Sequence, residues 1–198
     1  MIKLENVSKQ LKKNLVLNDV SMTFEKGNIY LLSGHNGSGK TMLLRMICGL
    51  IKPDKGSVKT DGESFGVIIE SPAFVLHETG RENLRFLARI RNEIQMSEIE
   101  SVLETVNLLD MADKKVKTYS LGMKQRLGLA QAIMENPDVL LLDEPFNALD
   151  DEHFQLALQL IQEMKQDKII IIAAHGFDYQ KYPIFDQVVS MSDGRIVD

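Results

Sequence analysis

The residues Gly34-His35-Asn36-Gly37-Ser38-Gly39-Lys40-Thr41 follow the pattern G-x-x-x-x-G-K-[ST]. Glycines in such a loop let backbone N–H groups face an anion at close range. Lys40 is spaced to reach the outer phosphates of a nucleotide, and Thr41 to offer a hydroxyl to Mg²⁺. A helix opening at about Thr41 adds roughly half a positive charge at its N-terminus. The chemistry is phosphate binding, and the loop alone does not say which reaction follows.

A second segment, Val139-Leu140-Leu141-Leu142-Asp143-Glu144, is an apolar run ending in two acids. Asp143 suits a Mg²⁺ contact, and Glu144 suits orienting or deprotonating an attacking water. Paired acids also cap ordinary strand ends, so this pair gains its meaning beside the loop. Between the two lies Tyr119-Ser120-Leu121-Gly122-Met123-Lys124-Gln125-Arg126. Ser120 is a good N-cap, and a Ser-capped helix end is itself an anion site. His175 ends an apolar run over residues 169–174.

These groups need a scaffold. Ile2, Leu4 and Val7 predict one strand, and Val16, Val20, Met22 and Phe24 predict another. Glu25-Lys26-Gly27-Asn28 reads as a turn and residues 29–32 as a buried strand feeding the glycine loop. The helix after that loop is expected to stop at Gly49. Residues 52–56 read as a loop, and strands are expected at 57–60 and 65–69, around Asp61-Gly62. From 71 to about 135 the chain reads mostly as helix, with Ser97 as N-cap and Glu100 completing a capping box. Beyond Pro137 come a buried strand at 139–142, a helix carrying Phe154, Ala157, Leu158 and Ile161, and a strand at 168–174. A hairpin turning at Asp193-Gly194 closes the chain. The order predicts an α/β fold with a three-layer core and an inserted helical subdomain at about 71–135, all within one domain over 1–198.

Composition narrows the function. The chain has 198 residues, 44% hydrophobic and 26% charged, which is ordinary globular usage. Its net charge of −5 disfavours a nucleic-acid binder held mainly by phosphate contacts, so no direct nucleic-acid partner is expected. The one cysteine, Cys48, rules out an intrachain disulfide and fits a reducing compartment and an inert core role. No apolar run approaches the ~20 residues of a spanning helix. The acid and amide at Glu5 and Asn6 do not read as a signal peptide. A cytoplasmic protein is expected, with any membrane role supplied by a partner.

Taken together, the segments resemble the nucleotide-binding subunits of ABC transporters over about residues 1–198. Ser120 and Gly122 match the family's L-S-G-G-Q signature, and Asn147-Ala148-Leu149-Asp150 matches its D-loop. His175 matches the switch histidine, which in that family contacts the γ-phosphate. The stretch through Lys124-Gln125-Arg126-Leu127 looks most like exporters of the bacitracin and lantibiotic-immunity type. The resemblance implies an α/β P-loop NTPase of ABC-ATPase type, with a mixed sheet, an antiparallel N-terminal β part and the helical insertion. It implies ATP and Mg²⁺, a second nucleotide-binding subunit as homo- or heterodimer, and a separate transmembrane subunit at the inner face of the membrane. Residues 34–41, Glu70, Asp143, Glu144 and His175 would form one half of each composite site. Ser120 and Gly122 of the other subunit would form the rest, and Asp150 would also help bind the nucleotide. Glu70 would sit near Mg²⁺ and the attacking water, at the hinge into the helical insertion.

The departures from the family pattern are local. Glu70 stands where glutamine is usual, Leu121 and Met123 replace Gly and Gln of the signature, and His35 replaces a common proline. Leu11 falls where an aromatic residue usually stacks on adenine. Two other readings exist. A non-transport ABC ATPase acting on a soluble macromolecule is disfavoured, because the span from Gly34 to Ser120 is too short for long coiled coils. A small-molecule kinase would not need Ser120, the 147–150 segment and His175 together.

Overall fold

The computed structural model describes residues 1–91 and 93–197. In chain order the first half holds β1 (Ile2–Leu11), β2 (Asn14–Phe24), β3 (Asn28–Ser33), α1 (Lys40–Ile47), β4 (Lys55–Lys59), β5 (Phe65–Ile68), α2 (Gly80–Arg91) and α3 (Met96–Thr105). The second half holds α4 (Leu121–Ile133), β6 (Val139–Asp143), α5 (Asp151–Glu163), β7 (Ile169–Ala174), β8 (Gln187–Ser192) and β9 (Arg195–Val197).

β6 and β7 are buried at every residue because layers cover both of their faces. On β7, Ile170, Ile172 and Ala174 join the core shared with α2 to α5. Ile169, Ile171 and Ala173 join the opposite core, shared with α1, β1 and β2. β3 divides the same way, with Ile29 and Leu31 on one side and Tyr30 and Leu32 on the other. An unbroken apolar run is what such a two-faced strand requires. Each fully buried Ile or Leu contributes about 1.5–3 kcal/mol relative to exposure.

The central sheet runs β5-β6-β7-β3-β8-β9, parallel except for the terminal β8–β9 hairpin. A second, antiparallel sheet runs β2-β1-β4. β1 buries Ile2 and Leu4, then Val7 rather than residue 6. A register shift lies between Leu4 and Val7, and Asn6 adopts φ +49. This bulge restores the inward face after one extra residue.

The strands flanking Asp61-Gly62 lie in different sheets, β4 paired with β1 and β5 with β6. Two expectations need correction. Lys55 and Gly56, expected in a loop, open β4. The capping box exists, but its cap is Gln95, two residues earlier, with Glu98 reaching back to the Gln95 N–H at 3.0 Å. Ser97 instead donates its hydroxyl to Glu98 at 2.8 Å.

The topology gathers the chemistry at one edge. The glycine loop leaves β3, Glu70 follows β5, Asp143 ends β6 with Glu144 directly after it, and His175 follows β7. All four are carboxyl ends of parallel strands, where open α/β sheets form their binding crevice.

Candidate functional site

Gly39 caps α1 with φ +108, a conformation that L side chains rarely adopt. A β-carbon there would also lie 2.9 Å from the Val16 carbonyl oxygen. The loop therefore depends on glycine for both its turn and its closeness to β2. Lys40 is only 6% exposed, and its Nζ donates to the carbonyls of Gly34 at 2.6 Å and His35 at 3.1 Å. Burial pushes the Lys40 pKa down, opposed by the charges of Glu144 and Asp143. Ser38 Oγ, in the same loop, is buried with no hydrogen-bond partner. A coiled ammonium and an unmatched hydroxyl inside a ring of backbone fit a site made for phosphate oxygens. His35 is exposed, and its Nδ1 lies 2.9 Å from the Asn36 carbonyl.

Thr41 Oγ1 donates to Asp143 Oδ2 at 2.7 Å, and Asp143 is 7% exposed. Among the described residues no group of three or more His, Cys, Asp and Glu could hold a metal by itself. One hydroxyl and one carboxylate are the hard, sparse donor set that Mg²⁺ takes when phosphates complete its shell.

Glu144 has φ +49, while its N–H still donates to the Ala173 carbonyl at 2.8 Å. Its Oε1 lies 2.5 Å from His175 Nδ1. Gln125 of α4 donates to the Glu144 carbonyl at 3.2 Å, a positioning contact that the sequence reading did not isolate. Its only signal was membership of the stretch after Ser120.

Glu70 also has φ above zero, at +62. Its carboxylate lies 2.7 Å from Nη2 of Arg45 on α1. Arg45 was not anticipated, since nothing in its local sequence marks it. Glu70 shares a cavity of about 320 Å³ with Ser71, Leu121, Gln125, Asn147, Asp143 and Glu144. Asp143 and Glu144 also line an adjoining cavity of about 340 Å³ with Leu11, Val16, Lys40, Thr41 and the glycine loop. Leu11 and Val16 supply aliphatic surface there and no ring.

Ser120 caps α4, accepting from the Met123 N–H at 3.2 Å. Asp150 caps α5, accepting from the N–H of His153 at 3.0 Å and lying 2.6 Å from its Nδ1. These contacts hold the Asp150 carboxyl below its usual range, the backbone N–H being the largest cause. Ser120, Gly122 and Asp150 line one small cavity that contains no residue of the glycine loop. The predicted residues thus fall into two groups within one chain.

The profile of the ABC transporter family matches residues 17–147. The chain belongs to that family. As a member it is an ATP-binding, ATP-hydrolysing subunit that energises transport. Among its relatives is the uncharacterized ABC transporter ATP-binding protein YybJ of Bacillus subtilis, 42% identical over 99% of this chain and 94% of that one. Another is the bacitracin transport ATP-binding protein BcrA of Enterococcus faecalis, 36% identical over 100% of this chain and 68% of that one. The fold matches the dimeric structure of the bacterial ABC transporter cassette MJ0796 with TM-score 0.92 and 23% identity, covering 100% and 97% of the two chains. Among the described residues no helix of this ABC subunit is long and apolar enough to cross a membrane.

Proposed function

We propose that this chain hydrolyses ATP at composite sites between two nucleotide-binding subunits and so drives export of a peptide or antibiotic-like cargo through a separate membrane protein. The observation that carries the hydrolytic part is the 2.5 Å contact of Glu144 with His175 beside the Lys40–Thr41–Asp143 cluster. The similarity to a bacitracin transport subunit supports the cargo class.

Lys40, the loop N–H groups and the Ser38 hydroxyl hold the β- and γ-phosphates. Thr41 and Asp143 would hold Mg²⁺, which would supply positive charge to offset charge developing on the transferred group. Glu144 orients the attacking water and accepts its proton, and His175 holds Glu144 and reaches the γ-phosphate. Separation of Ser120, Gly122 and Asp150 from the glycine loop supports a site completed by a second subunit. Residues 1–198 act as one nucleotide-binding domain, with 71–135 as the helical subdomain and Glu70 at its hinge. The assembly sits at the cytoplasmic face of the membrane through its partner.

Co-expression with a candidate multi-span membrane protein tests this reading. The two should copurify, and membrane vesicles holding both should move bacitracin-type peptide only with ATP. A chain that hydrolyses ATP yet retains no membrane protein contradicts the export reading.

A further inference from the structure

Glu144 and His175 are each followed, two residues on, by a phenylalanine: Phe146 and Phe177. The two rings stack on each other, with centroids 5.5 Å apart and planes at 26°. Phe154 of α5 meets the edge of Phe146 at 5.1 Å and lies 6.0 Å from Phe177. Tyr182 and Phe185, from the segment leading into β8, close on Phe177 at 5.5 and 5.6 Å.

The Glu144 backbone donates to Ala173 and accepts from Asn147 and the Gln125 side chain, so the loop after His175 is the less restrained of the two. Glu144 sits at φ +49 just past the end of β6. Gly176, directly after His175, has φ +61, and a β-carbon on it would meet nothing within 4 Å. The next regular element is a single 3₁₀ turn at Tyr179–Lys181. His175 is therefore held by the end of β7 on one side and by the Phe177 ring on the other. We infer that the stacked rings of Phe146 and Phe177 clamp the two loops together and keep Glu144 and His175 at contact distance, making both phenylalanines positioning residues for hydrolysis. The inference rests on the hydrolytic roles proposed above for Glu144 and His175. Neither ring lines the cavity of Lys40 and Thr41, so nucleotide binding does not depend on the clamp.

The test is steady-state phosphate release by the full chain carrying Phe177→Leu, Phe146→Leu, both, or Phe177→Tyr. Each Leu variant should lower kcat about threefold to tenfold while KM for ATP stays within about twofold. The double variant should lose little beyond either single variant, because one stack is removed only once. Phe177→Tyr keeps the ring and should restore most of the rate. Should Phe177→Leu fail to fold, Phe146→Leu carries the test, since among the described residues its ring pairs with two other rings, Phe154 and Phe177, whereas Phe177 pairs with four. A wild-type kcat in the Leu variants, equal losses in kcat and nucleotide affinity, or multiplied losses in the double variant would overturn the clamp. Glu144→Gln and His175→Ala run alongside separate the two claims. If they hydrolyse normally, the catalytic reading fails and takes the clamp with it. If they are inactive while Phe177→Leu is normal, only the clamp fails.

Discussion

The hydroxyl of Thr41 donates to the carboxylate of Asp143 at 2.7 Å, although the two residues stand 102 positions apart. This bond ties the first turn of α1 to the last residue of β6, so the phosphate loop and the acidic strand end share one frame. A divalent cation would draw on the same two oxygens. Asp143→Asn is expected to raise the Mg²⁺ concentration needed for half-maximal phosphate release by about 10- to 100-fold. Chelation of Mg²⁺ should abolish turnover in both proteins. A Mg²⁺ titration of phosphate release reads this, and superimposable curves for the two proteins would remove Asp143 from the metal site.

The Arg45 guanidinium holds Glu70 at 2.7 Å, and the proposed metal site would compete for the same carboxylate. The Glu70 side chain is 65% exposed, and such a pair adds at most about 1 kcal/mol to stability. Glu70→Gln should therefore fold normally and hydrolyse ATP within about tenfold of wild type. Arg45→Met frees the carboxylate and should lower the Mg²⁺ requirement, an effect that disappears in the double variant. An unchanged Mg²⁺ requirement in Arg45→Met would place Glu70 outside the metal's reach.

Gly122 lies where a β-carbon would come within 2.7 Å of the Ala148 carbonyl oxygen. Gly122→Ala pushes α4 away from residues 147–150, the segment expected to meet the second subunit. Activity per molecule should rise with protein concentration in the wild type, and fall about tenfold or more in Gly122→Ala and Ser120→Ala. Nucleotide binding to the dilute chain should not change. Light scattering and a dilution series of phosphate release check both points. Flat specific activity in the wild type would argue against composite sites.

Leu11 and Val16 line the nucleotide cavity with aliphatic surface and offer no ring to stack on a base. Most attraction then comes from phosphates, which every nucleoside triphosphate shares. ATP and GTP should bind within about tenfold, or 1.4 kcal/mol, of each other by calorimetry. Leu11→Tyr should strengthen both. A preference for ATP well beyond tenfold would mean that an aromatic residue elsewhere meets the base.

Local chemistry was legible in the sequence where one short segment does one job. The glycine loop needs its residue types at fixed spacing, and β6 and β7 announce burial on two faces by unbroken apolar runs. Glu144 and His175 were each legible as the end of such a run, but their contact was not, since it depends on how the ends of β6 and β7 lie side by side. Neither was the Arg45–Glu70 pair, since it depends on how α1 lies beside the end of β5. The partner of β4 was equally hidden, because a turn at Asp61-Gly62 suits a hairpin as well as a crossing between sheets. The α3 cap was misplaced because Gln95 and Ser97 both lie within reach of Glu98. The aromatic cluster draws on Phe146, Phe154, Phe177, Tyr182 and Phe185, which share no periodicity and meet only once α5 and the chain beyond β7 are folded together.

The central claim is hydrolysis with Glu144 as the group that positions and deprotonates water. Glu144→Gln keeps the shape and removes the charge. Its steady-state phosphate release, measured with saturating Mg²⁺ and ATP at a concentration that permits dimers, should fall about 10²- to 10⁴-fold while ATP binding persists. Release within about twofold of wild type would contradict the account.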